Sequence, residues 1–290
     1  MTRKPVLLDW VALIALALVW GASFIFIKRS VRVFEPAQMA MWRMVLAMLV
    51  YMPIAAAYWS KIDWKRWRPL VVVAFCGSAI PNYFFAIAQQ HVDSSLAGVL
   101  NSLTPLFTLI LGVAFFQMKA SWYKALGVGL GLVGAAVLIL HNGSGVNGES
   151  SIWFSALCVL ATVCYAINAN VVGRHLRDLP PAAIASAAFM ITGWLFVIGL
   201  FATGGWARVW EPGGMVGLGY VFYLAAIGTV AGSIGYFWLM QRTSPLFATS
   251  VTYLLPISAI LIGIIDDEQV QIWDYLGTGI ILTGLYLAQK

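Results

Sequence analysis

The chain has 290 residues, of which 61% are hydrophobic and 10% are charged, and its net charge is +6. A soluble domain carries about 25% charged residues, so this chain has too few of them to cover a water-facing surface. Its basic residues lie between apolar runs instead of along one face, which indicates membrane topology and argues against nucleic acid as a partner. The composition therefore predicts a protein of the lipid bilayer.

Apolar segments follow one another along the chain, and each is about 17–25 residues long, enough to cross a hydrocarbon core of about 30 Å as a helix. Lipid offers no hydrogen-bond partner to an exposed backbone, so unbroken apolar runs of this length are expected to be helices. The sequence thus predicts an all-α integral membrane protein with ten transmembrane helices. The segments lie near residues 8–27, 37–58, 69–89, 95–116, 122–140, 151–172, 182–203, 215–240, 246–265 and 272–289.

The two halves of the chain are similar to each other. The stretch N-S-L-T-P-L-F-T-L-I-L-G (101–112) has a counterpart in T-Y-L-L-P-I-S-A-I-L-I-G (252–263), and a Trp and a Gly-rich apolar run follow each of them. We expect a first five-helix repeat over 1–143 and a second over 144–290, forming one structural unit with the site between the repeats. Because five is an odd number of spans, the second repeat must enter the membrane from the opposite face, which makes the repeats inverted.

The distribution of Lys and Arg sets the expected orientation. If the N-terminus is cytoplasmic, the C-terminus is cytoplasmic too, and most of the basic residues lie on that side, as the positive-inside rule requires. Apart from Arg43, which falls within a segment, the opposite side then keeps only Lys28, Arg29, Arg32 and Arg208.

Three stretches resemble a known family: S-S-L-A-G-V-L-N-S-L-T-P-L-F-T-L-I-L-G (94–112), S-P-L-F-A-T-S-V-T-Y-L-L-P (244–256) and W-R-M (42–44). Together they resemble the drug/metabolite transporter superfamily, in particular its ten-helix exporters and most of all the bacterial aromatic amino acid exporters. That family usually has Gly-Glu after each proline helix. Here Phe116-Gln117 and Asp267-Glu268 stand at these places, so the pattern is half lost.

The resemblance implies export of neutral or aromatic amino acids and similar small metabolites across the bacterial inner (plasma) membrane by alternating access. The acidic residues lie in loops or near segment ends, which favours facilitated diffusion, unless Asp9 or the run 266–268 lies deeper. One alternative is a proton-coupled exporter of drugs or other metabolites from the same superfamily. An intramembrane enzyme is the alternative from another class, but no catalytic residue is predicted, because His91, His141 and His175 all fall at segment ends.

Polar and amphipathic side chains within the segments are the candidates for substrate binding. In an inverted-repeat transporter the site lies near the midplane where the repeats meet, and polar groups at that depth need partners. The alternative interpretation is that they hold helices together through hydrogen bonds worth about 0.6 kcal/mol each. The candidates are Trp20, Ser23, Asn82, Tyr83, Asn101, Tyr165, Asn168, Tyr236 and Tyr253.

Three further residues are candidates for a gating or structural role. Arg43 lies about seven residues past Pro36, about 10 Å along its helix. A charge at the membrane centre costs about 2.5–3.5 kcal/mol, so Arg43 is expected to pair either with the acidic run 266–268 or with a substrate carboxylate. Pro105 and Pro256 each remove a backbone hydrogen bond, which either shapes a cavity or gate or only kinks a helix for packing.

No cofactor and no metal site are predicted. Cys76, Cys158 and Cys164 lie in apolar runs without metal-type spacing, and we interpret them as small packing residues. The expected partners are a small-molecule substrate and the lipid bilayer. We expect a monomer, with a dimer left open, because the GxxxG pairs at Gly127 and Gly228 are typical of close helix contacts in general.

Overall fold

The computed structural model describes residues 5–88, 91, 100–119, 121–142, 150–255, 257–258 and 272–288. Helices follow one another along these ranges, and no strand occurs in them. In chain order the helices are α1 (Leu7–Ser30), α2 (Pro36–Tyr58), α3 (Trp67–Ala74, continued by Phe75–Ala79 and Ile80–Ala88), α4 (Thr104–Phe115), α5 (Trp122–Asn142), α6 (Ser150–His175), α7 (Pro181–Ala202), α8 (Gly214–Tyr223, continued by Leu224–Ala231 and Gly232–Arg242), α9 (Pro245–Thr249, followed by helical residues 251–255) and α10 (Ile272–Leu287).

Most of these helices are apolar enough for a bilayer. Each of the ten predicted segments overlaps a described helix, so their helical nature is confirmed. Their number as membrane spans and the cytoplasmic termini stay predictions. Within the described residues, five helices have the length and composition to cross a membrane: Pro36–Lys61, Trp64–Phe85, Trp153–His175, Pro181–Ala202 and Gly214–Arg242. Shorter apolar helices cover Leu7–Ser23, Thr104–Phe115, Pro245–Leu255 and Tyr275–Leu287.

Helix α2 lies inside the bundle. Its Tyr51 is fully buried, and the ring lies 4.8 Å from the ring of Phe189 on α7, centroid to centroid. The Tyr51 hydroxyl also donates a hydrogen bond of 3.1 Å to the carbonyl of Val230 on α8. Arg43 lies on the same helix, about two turns before Tyr51. The packing of α2 against α7 and α8 therefore carries Arg43 into the interior.

Helices α3 and α8 each contain a π-helical stretch, Phe75–Ala79 in α3 and Leu224–Ala231 in α8. Such stretches widen a helical turn and change which backbone carbonyls are bonded along the helix, and they occur often at functional sites. Gly77 and Gly228, one in each stretch, are 151 positions apart. The prolines of the two repeated segments have the same separation. The two stretches thus lie at corresponding points of the two halves.

Helices α5 and α10 approach each other through glycines. A Cβ built on Gly284 would lie 2.5 Å from the backbone nitrogen of Gly131, and one on Gly134 would lie 2.8 Å from the carbonyl oxygen of Gly277. Gly127 faces the backbone of Ala288 in the same way. The close contact expected at the GxxxG pair of α5 is therefore made with α10 of the same chain.

This contact gives a prediction about stability. Gly284→Ala should lower the free energy of unfolding by about 1–3 kcal/mol, because the new methyl group meets backbone atoms that have no room to move. Gly279→Ala on the same helix is the matched control, since no atom lies within 4 Å of its Cβ position. Denaturant unfolding of both purified variants in mild detergent checks this, and equal effects would contradict the prediction.

Candidate functional site

A cavity of about 280 Å³ lies between helices of the two halves of the chain. Seven of the nine candidate binding residues line it: Trp20, Ser23, Asn82, Asn101, Tyr165, Asn168 and Tyr236. Arg43 lines it as well. Side chains from α1, α2, α3, α4, α6, α7, α8 and α9 contribute to the wall. The cavity thus gathers most of the candidate binding residues.

Arg43 lies on the wall formed by α2 and α8. Its Nε donates a hydrogen bond of 2.8 Å to the Thr229 hydroxyl, which in turn donates 3.1 Å to the carbonyl of Leu224. The acidic run 266–268, one expected partner of Arg43, lies outside the described residues. Among the residues that the structure describes, no carboxylate forms an ion pair with Arg43. Its guanidinium is therefore held by Thr229 while its other nitrogens border the cavity.

Trp20 fixes the neighbouring part of this wall. Its indole N–H donates a hydrogen bond of 2.8 Å to the carbonyl of Gly228, within the π-helical stretch of α8. Its ring lies 5.5 Å from the ring of Tyr236, which is about two turns further along α8. The absence of a side chain at Gly228 leaves the space that Ser23 and Arg43 border, since a Cβ there would lie 3.1 Å from the Ser23 hydroxyl.

A further part of the lining comes from α3, α6 and the start of α4. Gly77 of α3 allows the side chain of Asn168 to come close, because a Cβ on Gly77 would lie 2.8 Å from Asn168 Oδ1. The Asn82 side chain donates a hydrogen bond of 2.7 Å to the carbonyl of Ser78, one turn earlier on α3. The amide oxygens of Asn101 and Asn168 are both buried, and neither has a hydrogen-bond partner among the described residues. This part of the lining is polar and uncharged.

Two of the candidate binding residues lie elsewhere. Tyr83 is 57% exposed and borders a second, largely apolar cavity between α2, α3 and α7, on the outside of the bundle. Tyr253 is fully buried, and its hydroxyl donates a hydrogen bond of 3.1 Å to the carbonyl of Val128 on α5. The neighbours of these tyrosines, Asn82 and Thr252, line the central cavity instead.

The two prolines differ in what the structure describes of them. Pro105 is buried in the first turn of α4, directly after a turn at residues 102–103. A proline at this position removes no helical hydrogen bond, because the first N–H groups of a helix have no partner within it. Pro105 therefore marks an interruption of the helical segment instead of a kink within α4. Pro256 lies outside the described residues.

The sequence did not point to Thr229 or Ser78 as lining residues. Both lie in the π-helical stretches, which shift the helical phase and turn residues towards the cavity that a regular helix would direct elsewhere. The one signal in the sequence is the repeat: Ser78 and Thr229 are 151 positions apart, as are Gly77 and Gly228. Small residues at paired positions within the segments mark the same site twice.

One buried carboxylate lies at the end of the bundle where α1 begins. Asp9 is fully buried, although the sequence places it at a segment end. Its Oδ1 accepts a hydrogen bond of 2.9 Å from Arg242 Nε at the end of α8. Its Oδ2 accepts another of 2.9 Å from the backbone N–H of Val6. Asp9 is not among the residues that line the cavity. It therefore ties the start of α1 to the end of α8.

A second ion pair joins the halves at the same end. Arg66, just before α3, donates hydrogen bonds of 2.6 Å and 2.8 Å to the two carboxylate oxygens of Asp178, which lies in the connection between α6 and α7. These hydrogen bonds lower the pKa of Asp178 from its usual value. The pair's contribution to stability is therefore present at neutral pH and is lost as the pH falls through the lowered pKa of Asp178. Because Asp178 is exposed, this contribution is small.

Both halves of the chain, residues 9–140 and 152–289, match the model of one family, described as EamA-like transporters. The chain belongs to the EamA-like transporter family. This places it in the drug/metabolite transporter superfamily and, with its apolar helices, identifies a multi-pass transporter of the inner membrane. The superfamily expected from the sequence is thereby confirmed. The narrower likeness to aromatic amino acid exporters stays a prediction.

This EamA-like transporter is similar to curated proteins over most of its length. It is 27% identical to the uncharacterized inner membrane transporter YedA of Escherichia coli strain K12, covering 95% of this chain and 89% of YedA. It is 22% identical to a probable terminal-alkyne amino-acid exporter of Streptantibioticus cattleyicolor, and the match covers 88% of this chain and 84% of that exporter. It is 26% identical to an S-adenosylmethionine/S-adenosylhomocysteine transporter of Chlamydia trachomatis serovar L2, and the match covers 68% of this chain and 61% of that transporter. All three are named as transporters or exporters.

Proposed function

We propose that this protein exports neutral or aromatic amino acids and similar small metabolites, moving them down their gradient by alternating access. The observation that carries the proposal is the cavity: its described lining combines uncharged polar side chains and aromatic rings with one cationic group, the guanidinium of Arg43. A substrate with a carboxylate and an apolar or aromatic part matches such a lining.

The names of two relatives support an amino-acid substrate. One relative is named for an amino acid with a terminal alkyne, and the other for S-adenosylmethionine and S-adenosylhomocysteine. These molecules differ in size and side chain, but all of them contain an α-amino-acid group. A shared recognition of that group is the simplest link between these names and the cavity of this chain.

Two observations support the arrangement as inverted repeats over 1–143 and 144–290. The family model matches once in each half, and the π-helical stretches of α3 and α8 lie at corresponding positions. In a transporter built from inverted repeats, substrate access alternates as the repeats move relative to each other around a central site. The position of the cavity between the halves fits this mechanism.

The ion pairs at one end of the bundle fit the same mechanism. Asp9–Arg242 and Arg66–Asp178 each connect the first half of the chain to the second. With the expected orientation this end faces the cytoplasm. Opening the cavity to the cytoplasm would require these pairs to separate, and opening it to the outside would leave them intact.

The proposal is tested with the full-length protein in proteoliposomes. Liposomes loaded with an unlabelled amino acid should take up the same labelled amino acid by counterflow, with saturable kinetics. The panel is L-phenylalanine, L-tryptophan, L-tyrosine, L-leucine and L-methionine. Failure to exchange any of them, by protein shown to be monodisperse, would contradict the proposed substrate class.

The aromatic wall of the cavity gives a prediction. Trp20→Ala and Tyr236→Ala should each lower the counterflow rate about fivefold or more, because each removes an aromatic contact worth about 1 kcal/mol and Trp20 also holds Gly228. Tyr83→Ala is the control, because this tyrosine lies outside the cavity, and its rate should stay near that of the wild type. A loss in Tyr83→Ala as large as in the other two would contradict the assignment.

The driving force gives a second prediction. Among the described lining residues of the cavity none is Asp, Glu or His, so we expect facilitated diffusion without proton coupling. A pH gradient across proteoliposomes with equal substrate on both sides should produce no net accumulation. Accumulation that a protonophore abolishes would favour the alternative, a proton-coupled exporter of drugs or other metabolites. The buried carboxylate of Asp9 would then be the first candidate for the coupling group.

A further inference from the structure

Two cysteines from opposite halves of the chain lie against each other between α3 and α6. Cys76 belongs to the π-helical stretch of α3 and Cys164 to α6, and their thiols are within hydrogen-bonding reach of each other. Both side chains are half-buried, and neither is among the residues that line the central cavity. These two residues, the thiol pair, therefore form a reactive cluster outside the substrate site.

Close packing of the two helices keeps the thiol pair together. Gly77 directly follows Cys76, and a Cβ on this glycine would lie 2.8 Å from Oδ1 of Asn168, one turn after the second cysteine. Tyr165, the neighbour of that cysteine on α6, stacks on Phe85 of α3 with ring centroids 6.3 Å apart. Two thiols held in this way react with each other much faster than free thiols do, because their encounter has already been made.

The thiol pair lies near the middle of two helices that are long and apolar enough to cross a membrane. Cys76 falls within Trp64–Phe85, and Cys164 falls at the midpoint of Trp153–His175. Water-soluble oxidants have little access to this depth of the hydrocarbon core. A reagent for these thiols therefore has to dissolve in the membrane itself, and hydroperoxides of unsaturated lipids are oxidants of that kind.

We propose that the thiol pair is a site of reversible oxidation, at which a lipid hydroperoxide joins Cys76 to Cys164 by a disulfide that ties α3 to α6 and stops transport. The loss of transport rests on the proposed function, whereas formation of the disulfide does not. The third cysteine takes no part, because Cys158 is fully buried and belongs to an apolar cluster with Ala88.

The reaction takes place in two steps. The sulfur of one cysteine attacks the terminal oxygen of the hydroperoxide, which breaks the O–O bond, releases the lipid alcohol and leaves a sulfenic acid. The sulfur of the other cysteine then attacks the sulfenic sulfur, so that an S–S bond forms and water leaves. The two thiols lose two electrons and the hydroperoxide gains them, and the products are one disulfide, one alcohol and one water.

The disulfide acts on the two helices that the proposed mechanism separates. Arg66 precedes α3 and Asp178 follows α6, and their ion pair of 2.6 Å connects these helices at the end that is expected to face the cytoplasm. Opening the cavity to the cytoplasm separates this ion pair. A covalent bond between the middle parts of the same two helices restrains that movement, so the oxidised carrier stays closed to the cytoplasm.

The first measurement counts thiols in the full-length protein in proteoliposomes. The vesicles are treated with cumene hydroperoxide, an apolar organic hydroperoxide, and the protein is then denatured and alkylated with a maleimide. The reduced protein should take up three maleimides, one for each cysteine, and the oxidised protein only one, at Cys158. Peptide mass spectrometry should find Cys76 linked to Cys164, and a membrane-permeant dithiol should restore all three thiols by exchange.

The second measurement is L-phenylalanine counterflow by the same vesicles. Oxidation should abolish counterflow of the wild type, and the dithiol should restore it. Cys76→Ser and Cys164→Ser should each exchange L-phenylalanine at the wild-type rate and keep this activity after cumene hydroperoxide, because neither variant can form the disulfide. Cys158→Ala is the matched control, since it retains the thiol pair and should be inhibited like the wild type.

Each failure has a different meaning. If the reduced wild type exchanges none of the amino acids, the proposed function fails and the control of transport fails with it, while the thiol count still tests the disulfide. If exchange occurs but the oxidised protein keeps three reactive thiols, only this inference fails. It also fails if the disulfide forms without loss of counterflow, or if cumene hydroperoxide inhibits the two Ser variants as strongly as the wild type.

Discussion

Replacing Arg43 with Gln should lower the affinity for L-phenylalanine about 100-fold. Hydrogen bonds to charged groups are worth about 1.5–3 kcal/mol, and the variant loses a fork of them together with the charge. Arg43→Lys should recover only part of the loss, because Lys offers a point charge without the planar fork. Binding to the full-length protein in nanodiscs is the measurement, with phenethylamine as the probe that should not respond.

The unfolding transition of the same variant separates the two roles that the sequence left open for Arg43. In the structure its bond to Thr229 is a neutral acceptor contact, so Arg43→Gln should change the midpoint of thermal unfolding little. Thr229→Val is the companion variant, because it removes the acceptor of Nε and leaves the charge in place. A large loss of stability in Arg43→Gln with unchanged affinity would instead support pairing with the acidic run 266–268.

The second large effect is expected at the end of the bundle. Asp9→Ala should lower the free energy of unfolding by about 3 kcal/mol, because Asp9 is fully buried and its removal leaves Arg242 without its 2.9 Å partner. The exposed pair Arg208–Glu211 provides the control, with side chains that are 45% and 52% exposed. Glu211→Ala should change stability by about 0.5 kcal/mol or less.

A double variant tests the cause of this effect. Asp9→Ala combined with Arg242→Met should be more stable than Asp9→Ala alone, because the unpaired charge is removed as well. Denaturant unfolding of the four proteins in mild detergent gives the coupling energy between the two positions. Additive effects of the two substitutions would show that the pair itself contributes nothing.

The sequence predicted the helices well because the signal for them is strong. A run of about 20 apolar residues in a bilayer has no alternative to a helix that satisfies its backbone. The same apolar character removes the signal for helix rotation, since a helix that is apolar all round shows no preferred face. The sequence therefore located the polar residues along each helix but did not fix their direction around it.

The pairs Asn82–Tyr83 and Thr252–Tyr253 show this limit. Neighbouring residues in a helix point about 100° apart, so only one member of each pair lines the cavity, and in both cases it is the smaller polar one. Tyr253 uses its hydroxyl to bond α5 instead, and Tyr83 lies on the outside of the bundle. Thr229 escaped prediction for a related reason, because a π-helical stretch alters the rotation and the residues within the stretch do not themselves indicate it.

The glycine contact between α5 and α10 constrains how the molecule moves as a transporter. These helices come from opposite halves, and at Gly131 and Gly284 their backbones touch with no side chain between them. Packing as close as this is lost with a small separation, so we expect α5 and α10 to keep their contact through a transport cycle. The helices around the cavity, α3 and α8 with their π-helical stretches among them, are then expected to move relative to this pair.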